Sequence, residues 1–240
     1  MPTVIDGVGA LSATGINPTI AVAYYPSPTV DAVAYMWAVH RSGGTITTPT
    51  GWELVDVEFN SATAQRLYLF RRVIDGTEGS SVTVAGSPNK EFGAFIFGVD
   101  GADTDSPEAV ALAWDLAAVG WTTRAGVSVS PTGAALAVSL VATTDDNVMG
   151  LDTGLEQGFT LQAGGADYDS ISGDDFAFGL ATKVVSAGTI VQPTWEQTLS
   201  PGNGGSILSF AVAEAESTAP SSDSNRIGGT GAIRRSPFRP

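Results

Sequence analysis

Between residues 30 and 213, apolar side chains recur at every second position in short runs, and nearly every gap between the runs holds Gly, Pro, Asn or Asp. The run at 30–41 (VDAVAYMWAVHR) sets Val33, Tyr35, Trp37 and Val39 on one face, with small or polar residues alternating on the other. That period of two is the signature of a β-strand. Comparable runs occupy 52–59, 65–74, 81–85, 92–99, 126–130, 134–143, 176–185 and 206–213. SGGT (42–45), DGTEG (75–79), SPNK (87–90), SPTG (130–133) and SPGNGG (200–205) supply positive φ or a fixed proline φ between them. Many short strands with regular turns predict an all-β fold, an antiparallel β-sandwich of jelly-roll type. One stretch reads differently: 106–118 (SPEAVALAWDLAA) offers Ser106 as N-cap and Pro107 at the first helical position of a short helix.

The pattern repeats. In the first half YMWAVHR leads through GTITTPTGWELV to LYLFRRVIDGTEGSSVTV and closes on EFGAFIFGVDG; in the second, LAVSLVATTDD leads through GLEQGFTLQ to FAFGLATKVVSAGTIVQPTW and closes on GGSILSFAVAEA. The anchors are Gly51-Trp52 against Gly158-Phe159, a strand ending near Val73 or Val185 before a glycine turn, and a closing strand around Phe97 or Phe210. Two similar antiparallel sets folded face to face is the expected arrangement, as two Greek keys make a jelly roll.

Charge divides the chain at residue 217. Residues 217–240 (STAPSSDSNRIGGTGAIRRSPFRP) carry four arginines, Arg226, Arg234, Arg235 and Arg239, against Asp223. That segment therefore stands at +3 in a chain of −14, which leaves −17 on the rest. A Ser/Gly/Pro-rich segment buries too little apolar surface to offset its ordering entropy, so it is expected to be an extended arm that orders on a partner. The expected organisation is a sandwich body at 1–216 and a basic arm at 217–240. No apolar run approaches the ~18 residues that span a bilayer, and the start MPTVIDGVGALSATG lacks a secretory pattern, so a soluble chain without membrane contact is expected. An acidic body with a pI near 4.2 argues against nucleic acid as its partner. Zero cysteines exclude disulfides and thiolate metal sites.

Catalytic constellations are missing. His40 is the sole imidazole; a general base is one reading, and a solvent-facing strand-end residue is the favoured one. There is no G-x-S-x-G elbow, P-loop, or G-x-G-x-x-G opening a helix. Acids cluster at Asp100, Asp103, Asp105 and Glu108, at Asp145, Asp146 and Asn147, and at Asp167, Asp169, Asp174 and Asp175. Such loops could offer oxygens to Ca²⁺, but the last fails the EF-hand pattern because Ile171 holds a ligand position. Acidic Asx-turns are the favoured reading. The expectation is no enzyme, no cofactor and no metal. Among the aromatics, Trp37, Trp52 and Trp195 read as core, whereas Tyr24, Tyr25 and Trp121 read as more exposed and open to stacking on a sugar.

GGTITTPTGWELV, LYLFRRVIDGTEGSSVTV and FGAFIFGVDGADTDSPE together are similar to a β-rich segment of tailed-bacteriophage virion proteins. The resemblance rests on Thr47, Pro49, Gly51, Trp52 and Leu54, then Val73, Gly76 and Glu78, then Gly98, Val99, Asp100 and Pro107, and it covers 30–108. It implies a virion component with phage capsid or tail proteins as partners, and it defines no active site. Within that class, a compact acidic body with a basic arm suits a capsid decoration or cement protein, a trimer being one option. The arm would pair arginines with carboxylates and seat apolar side chains in small pockets. The contact residues expected are Arg226, Ile227, Ile233, Arg234, Arg235, Phe238 and Arg239. A tail-fibre or minor tail subunit, or a carbohydrate-binding module for a host glycan, is the alternative.

Overall fold

The computed structural model describes residues 2–8, 12–14, 19–87, 91–104, 112–116, 122–143, 149–168, 176–197 and 205–215. These residues are all-β, with seventeen strands. The first half supplies β1 (Thr3–Val8), β2 (Ser12–Thr14), β3 (Thr19–Ala23), β4 (Val33–His40), β5 (Ile46–Thr47), β6 (Glu53–Asn60), β7 (Gln65–Val73), β8 (Ser81–Gly86) and β9 (Phe92–Asp100). The second supplies β10 (Leu112–Leu116), β11 (Thr123–Ala125), β12 (Ala135–Thr143), β13 (Met149–Leu151), β14 (Thr160–Tyr168), β15 (Phe176–Val185), β16 (Thr194–Gln197) and β17 (Gly205–Ala213).

The two halves are wired alike. The first half forms a long sheet in the order β1-β9-β4-β7-β6, with β2 also on β9, and a short sheet β3-β8-β5; the second forms β10-β17-β12-β15-β14 and β11-β16-β13. Substituting β10 for β1, β11 for β3, β12 for β4 and so on converts one half into the other, and all the pairings are antiparallel. The expected anchors coincide. Gly51 and Gly158 have φ of +79° and +78°, and each lets the next aromatic fold back: Trp52 N–H donates to Pro49 at 3.1 Å, and Phe159 N–H to Glu156 at 2.8 Å. Both aromatics are buried. The glycine turns after β7 and β15 hold Gly76 and Gly188, also at positive φ.

The sheets stack in four layers, short–long–long–short. Ten residues from each half make the central core, including Val33, Tyr35, Trp37 and Val39 of β4 against Leu136, Val138, Leu140 and Ala142 of β12. The outer faces of the long sheets pack on the short sheets, in one half through Ala34, Met36 and Ala38 of β4, in the other through Ala135, Ala137 and Val141 of β12. Strands covered on both faces need apolar residues at every position. This is why β4, β12 and most of β9 and β17 are buried throughout, and why the small face of 30–41 lies in a second core. Burying a Val-to-Phe side chain is worth about 1.5–3 kcal/mol, so an apolar seam of this extent fixes the halves to each other.

Two expected elements are corrected. Residues 112–116 of the expected helix are strand β10, because Leu112, Trp114 and Leu116 pack against the central core while the backbone pairs with β17, Leu112 opposite Phe210. Ser106 and Pro107 lie outside the described residues. The run at 126–130 is not a strand. The strand precedes it at Thr123–Ala125, and only Val129 makes a bridge, to Ile190. A Cβ on Gly126 would stand 2.8 Å from the Cβ of Gln192.

Candidate interaction surface

His40 ends β4 fully buried, which corrects the solvent-facing reading. Its Nδ1 donates to the Arg41 carbonyl at 2.6 Å, Nε2 lies 3.4 Å from the Ser87 carbonyl, and the ring stacks on Phe92 with centroids 5.7 Å apart. Gly44 and Gly86 leave the room this ring occupies. The imidazole is thus enclosed by the Phe92 ring and the backbone around Gly44 and Gly86, where it contributes packing.

Trp37, Trp52 and Trp195 are buried as expected. Tyr24 and Tyr25 are buried too, against expectation. Tyr24 stacks on Trp52, centroids 6.0 Å apart, and Tyr25 packs over Gly98, where a Cβ would overlap its ring. Neither presents a face to a sugar. Trp121 lies outside the described residues, as do Asp105, Glu108, Asp145, Asp146, Asn147, Asp169, Asp174 and Asp175. Asp100 ends β9, and its carboxylate accepts from the N–H of the next residue, Gly101, at 3.0 Å. Among the described residues no three His, Cys, Asp or Glu side chains gather as a metal would require.

Of the residues on which the expected phage resemblance rests, Gly51, Trp52, Gly76, Glu78 and Gly98 meet at one end of the first sandwich; Pro107 lies outside the described residues. Arg72, from β7, pairs with Glu78 at 2.9 Å and lies 3.7 Å from Asp75; its guanidinium would stand 3.0 Å from a Cβ on Gly51. The Glu78 side chain, only 2% exposed, accepts from the backbone N–H of Asp75 (3.1 Å) and Gly76 (2.9 Å). Gly51, Trp52, Gly76, Glu78 and Gly98 thus lock three loops around Arg72, Tyr24 and Tyr25. The group is a structural clasp.

Among the described residues eight large apolar side chains stand open to solvent. Five of them are Val30, Leu155, Leu161, Val184 and Val191; the others, Leu54, Val57 and Phe59, lie together on β6. Its register against β7 places Leu54 opposite Phe70, Val57 opposite Tyr68 and Phe59 opposite Arg66, with a shift between Leu54 and Asp56. Tyr68 and Phe70 belong to the outer core of the first half, so Leu54, Val57 and Phe59 share that outer face. The short sheet spans three strands and the long sheet five or more, and β6 lies beyond its cover. Leu54, Val57 and Phe59 are 44%, 38% and 43% exposed, and the Arg66 guanidinium sits 5.4 Å from the Phe59 ring centre. The opposite face of the strand carries Glu53, Asp56 and Glu58. Glu53 is bound to Arg71 at 2.8 Å, and Asp56 accepts from the Trp114 indole at 2.7 Å. Two main-chain N–H groups of the strand are occupied by its own carboxylates, Val57 by Asp56 (2.9 Å) and Phe59 by Glu58 (3.3 Å).

The sequence did not single out this strip. Leu54 falls on an even position and Val57 and Phe59 on odd ones, so unbroken alternation splits them between faces; the register shift brings them together. A second open feature is a groove of about 420 Å³ beside Lys183 and Val191, where Lys183 Nζ donates to the Gln157 carbonyl at 2.7 Å. The seven residues expected to make the contact, Arg226, Ile227, Ile233, Arg234, Arg235, Phe238 and Arg239, lie outside the described residues. Neither protein-family models, nor curated proteins, nor solved structures give a match to this chain.

Proposed function

We propose that this chain is a noncatalytic structural protein of a tailed-bacteriophage virion, a capsid decoration or cement subunit that anchors through its arm at residues 217–240. The observation that carries the reading is the clasp. Of the residues on which the resemblance to phage virion proteins rests, Gly51, Trp52, Gly76, Glu78 and Gly98 hold loops together around Arg72 and Tyr25, which supports a scaffold role, while Leu54 lies on the exposed strip. The contacts this reading assigns to a partner are the apolar strip of β6 and the basic arm.

The strand order supports reading each half as a jelly-roll derivative. Counted within the second half, and within the first when β2 is left out, strand 1 pairs with 8, 8 with 3 and 3 with 6, opposite a sheet of 2, 7 and 4. The fifth strand has joined the free edge of the sixth. Jelly rolls serve in viral capsids and in lectins, a likeness of fold that selects no function alone. Between those two, burial of Tyr24 and Tyr25 removes the described part of a sugar platform and favours the structural role.

Immunogold labelling of purified particles tests it. Label on the head, lost when residues 217–240 are deleted, is expected. Label confined to the tail would assign the tail-subunit alternative, and particles without label would overturn the virion reading.

A further inference from the structure

We propose that the strip of Leu54, Val57 and Phe59 on β6 is the docking surface for the basic arm, residues 217–240, of a second copy of this chain. The inference rests on the arm being the contact element and names the surface it takes.

Three observations select that occupant. The first is chemistry. The strip offers three apolar side chains on one face, with the Arg66 guanidinium over Phe59. The strand's acids, Glu53, 67% exposed and paired with Arg71, and Glu58, lie on the other face, where an arm meets them only by wrapping the edge of the sheet. The arm offers Ile227, Ile233 and Phe238 interleaved with Arg226, Arg234, Arg235 and Arg239. Its +3 faces a body at −17, so association is favoured from a distance as well as at contact.

The second is size. Three side chains exposed by about two-fifths each present on the order of 200 Å² of apolar surface, against roughly 800 Å² per partner in a stable protein–protein interface. A sandwich-to-sandwich dimer is underfed by this strip; an extended peptide is not. Strand addition is disfavoured as well, because the Val57 and Phe59 N–H groups are already held by Asp56 and Glu58. Recognition therefore runs through side chains.

The third is where the chain leaves the body. Ala215 N–H donates to the Gly101 carbonyl at 3.0 Å, Arg71 donates to the Thr104 carbonyl at 3.2 Å, and Arg71 holds Glu53. The exit is thus at the end where β6 begins. There β17 runs outward and β6 runs inward, so the last described residues point away from the strip of their own chain, which is the ground for assigning the arm to the strip of a neighbour. Twenty-five residues follow Ala215 and span up to ~80 Å extended, well beyond the ~26 Å of an eight-residue strand.

The test is a fluorescein-labelled synthetic peptide of residues 217–240 titrated into the full-length protein by anisotropy, with sedimentation velocity of the protein alone and with excess peptide. Saturable binding is expected, weakened at least tenfold by Val57→Lys and by the milder Leu54→Thr, each checked for an unchanged far-ultraviolet circular dichroism spectrum. The protein alone should sediment above one chain as concentration rises and return to one chain under excess peptide. No peptide binding, or equal binding by wild type and both variants, overturns the strip as the site. Sedimentation as one chain at every concentration overturns the second copy as occupant. Immunogold localisation is independent of either outcome, so failure here leaves the virion reading to be judged by its own experiment.

Discussion

Gly98 lies against the ring of Tyr25 so closely that a Cβ would overlap it, and Tyr25, 1% exposed, has no room to retreat. Gly98→Ala is expected to destabilise by about 2–3 kcal/mol through overpacking. Tyr25→Phe should behave oppositely. The Tyr25 hydroxyl is buried with no hydrogen-bond partner, and removing an unsatisfied buried hydroxyl recovers up to about 1 kcal/mol. Burial first, then the charge of Glu78, pushes the Tyr25 phenol up to about 12 from 10.0. Its neutral form is thus favoured by folding. That contribution is complete below pH ~10 and is lost as pH rises through about 12. Urea unfolding from pH 9 to 12 should show this alkaline limb in wild type and not in Tyr25→Phe; an identical limb in both would assign it elsewhere.

The halves are joined by a specific bond as well as by apolar packing. Trp114 of β10 stacks on Trp37, centroids 5.6 Å apart, while its indole N–H reaches Asp56 of β6. Asp56→Ala should cost about 1–2 kcal/mol, within the range for a hydrogen bond to a charged group that is partly solvated. Trp114→Phe keeps an aromatic ring and loses the same bond. In a double-mutant cycle by urea unfolding the pair should therefore couple, the double variant falling short of the sum. Strict additivity would mean the contact contributes nothing.

Most of the strand framework was legible because period two survives even when both faces are buried: β4, β7, β9, β12, β15 and β17 coincide with the predicted runs to within a few residues. The duplication was legible because Gly51-Trp52 and Gly158-Phe159 solve the same turn problem with the same residue types. Illegible were the strands whose stability comes from neighbours. β10 reads as helix because Ala111, Ala113, Ala117 and Ala118 suit a helix locally, and only the core beneath Trp114 decides otherwise. β14 (TLQAGGADY) has too few apolar side chains to show a period and carries two register shifts. Exposure was the least legible property. Nothing in Tyr24-Tyr25 announces the glycine beneath one ring or the tryptophan beside the other. The β6 strip appears only when the shift between Leu54 and Asp56 is known.

Glu78 is predicted to matter more than any exposed acid. It satisfies two backbone N–H groups and a half-shielded arginine from a buried position. Glu78→Ala strands those groups and is expected to cost about 2–4 kcal/mol, below the full penalty for a buried pair because Arg72 keeps some solvent and Asp75. Glu78→Gln retains an acceptor for the turn and should cost less. Thermal melts of the two variants separate the roles; equal losses would place the whole effect on the ion pair.

Asp75 sets part of the acid limb. The Thr77 hydroxyl and N–H, followed by the Arg72 charge, hold its carboxyl below the ordinary 3.8. A folded-state value below the unfolded one gives stability that is present above pH ~4 and lost as pH falls further. Asp75→Asn should flatten the pH dependence of stability between pH 5 and 2 while leaving the neutral-pH far-ultraviolet spectrum unchanged. An acid limb of undiminished slope would exclude Asp75 as a contributor.

At the other end of the central core the seam between halves turns polar. Asn60 Nδ2 donates to Ser206 Oγ at 3.1 Å, and Ser206 Oγ donates to Gln65 Oε1 at 3.2 Å, all three residues buried. Asn60 and Gln65 close the β6–β7 hairpin of one half, and Ser206 opens β17 of the other, so the hydroxyl ties the register of one sandwich to that of its counterpart. Such a link contributes through what its loss exposes: a buried amide deprived of a partner costs about 1–3 kcal/mol, whereas the intact bond is worth roughly 1. Ser206→Ala is therefore expected to lose about 2 kcal/mol, and Ser206→Thr, if its methyl fits, far less. Replacing Gln65 with Leu in the Ser206→Ala background removes one stranded amide along with its missing partner and should restore part of the loss. Urea unfolding of the three variants decides it: no recovery in the double variant would locate the cost of Ser206→Ala in packing rather than in the polar seam.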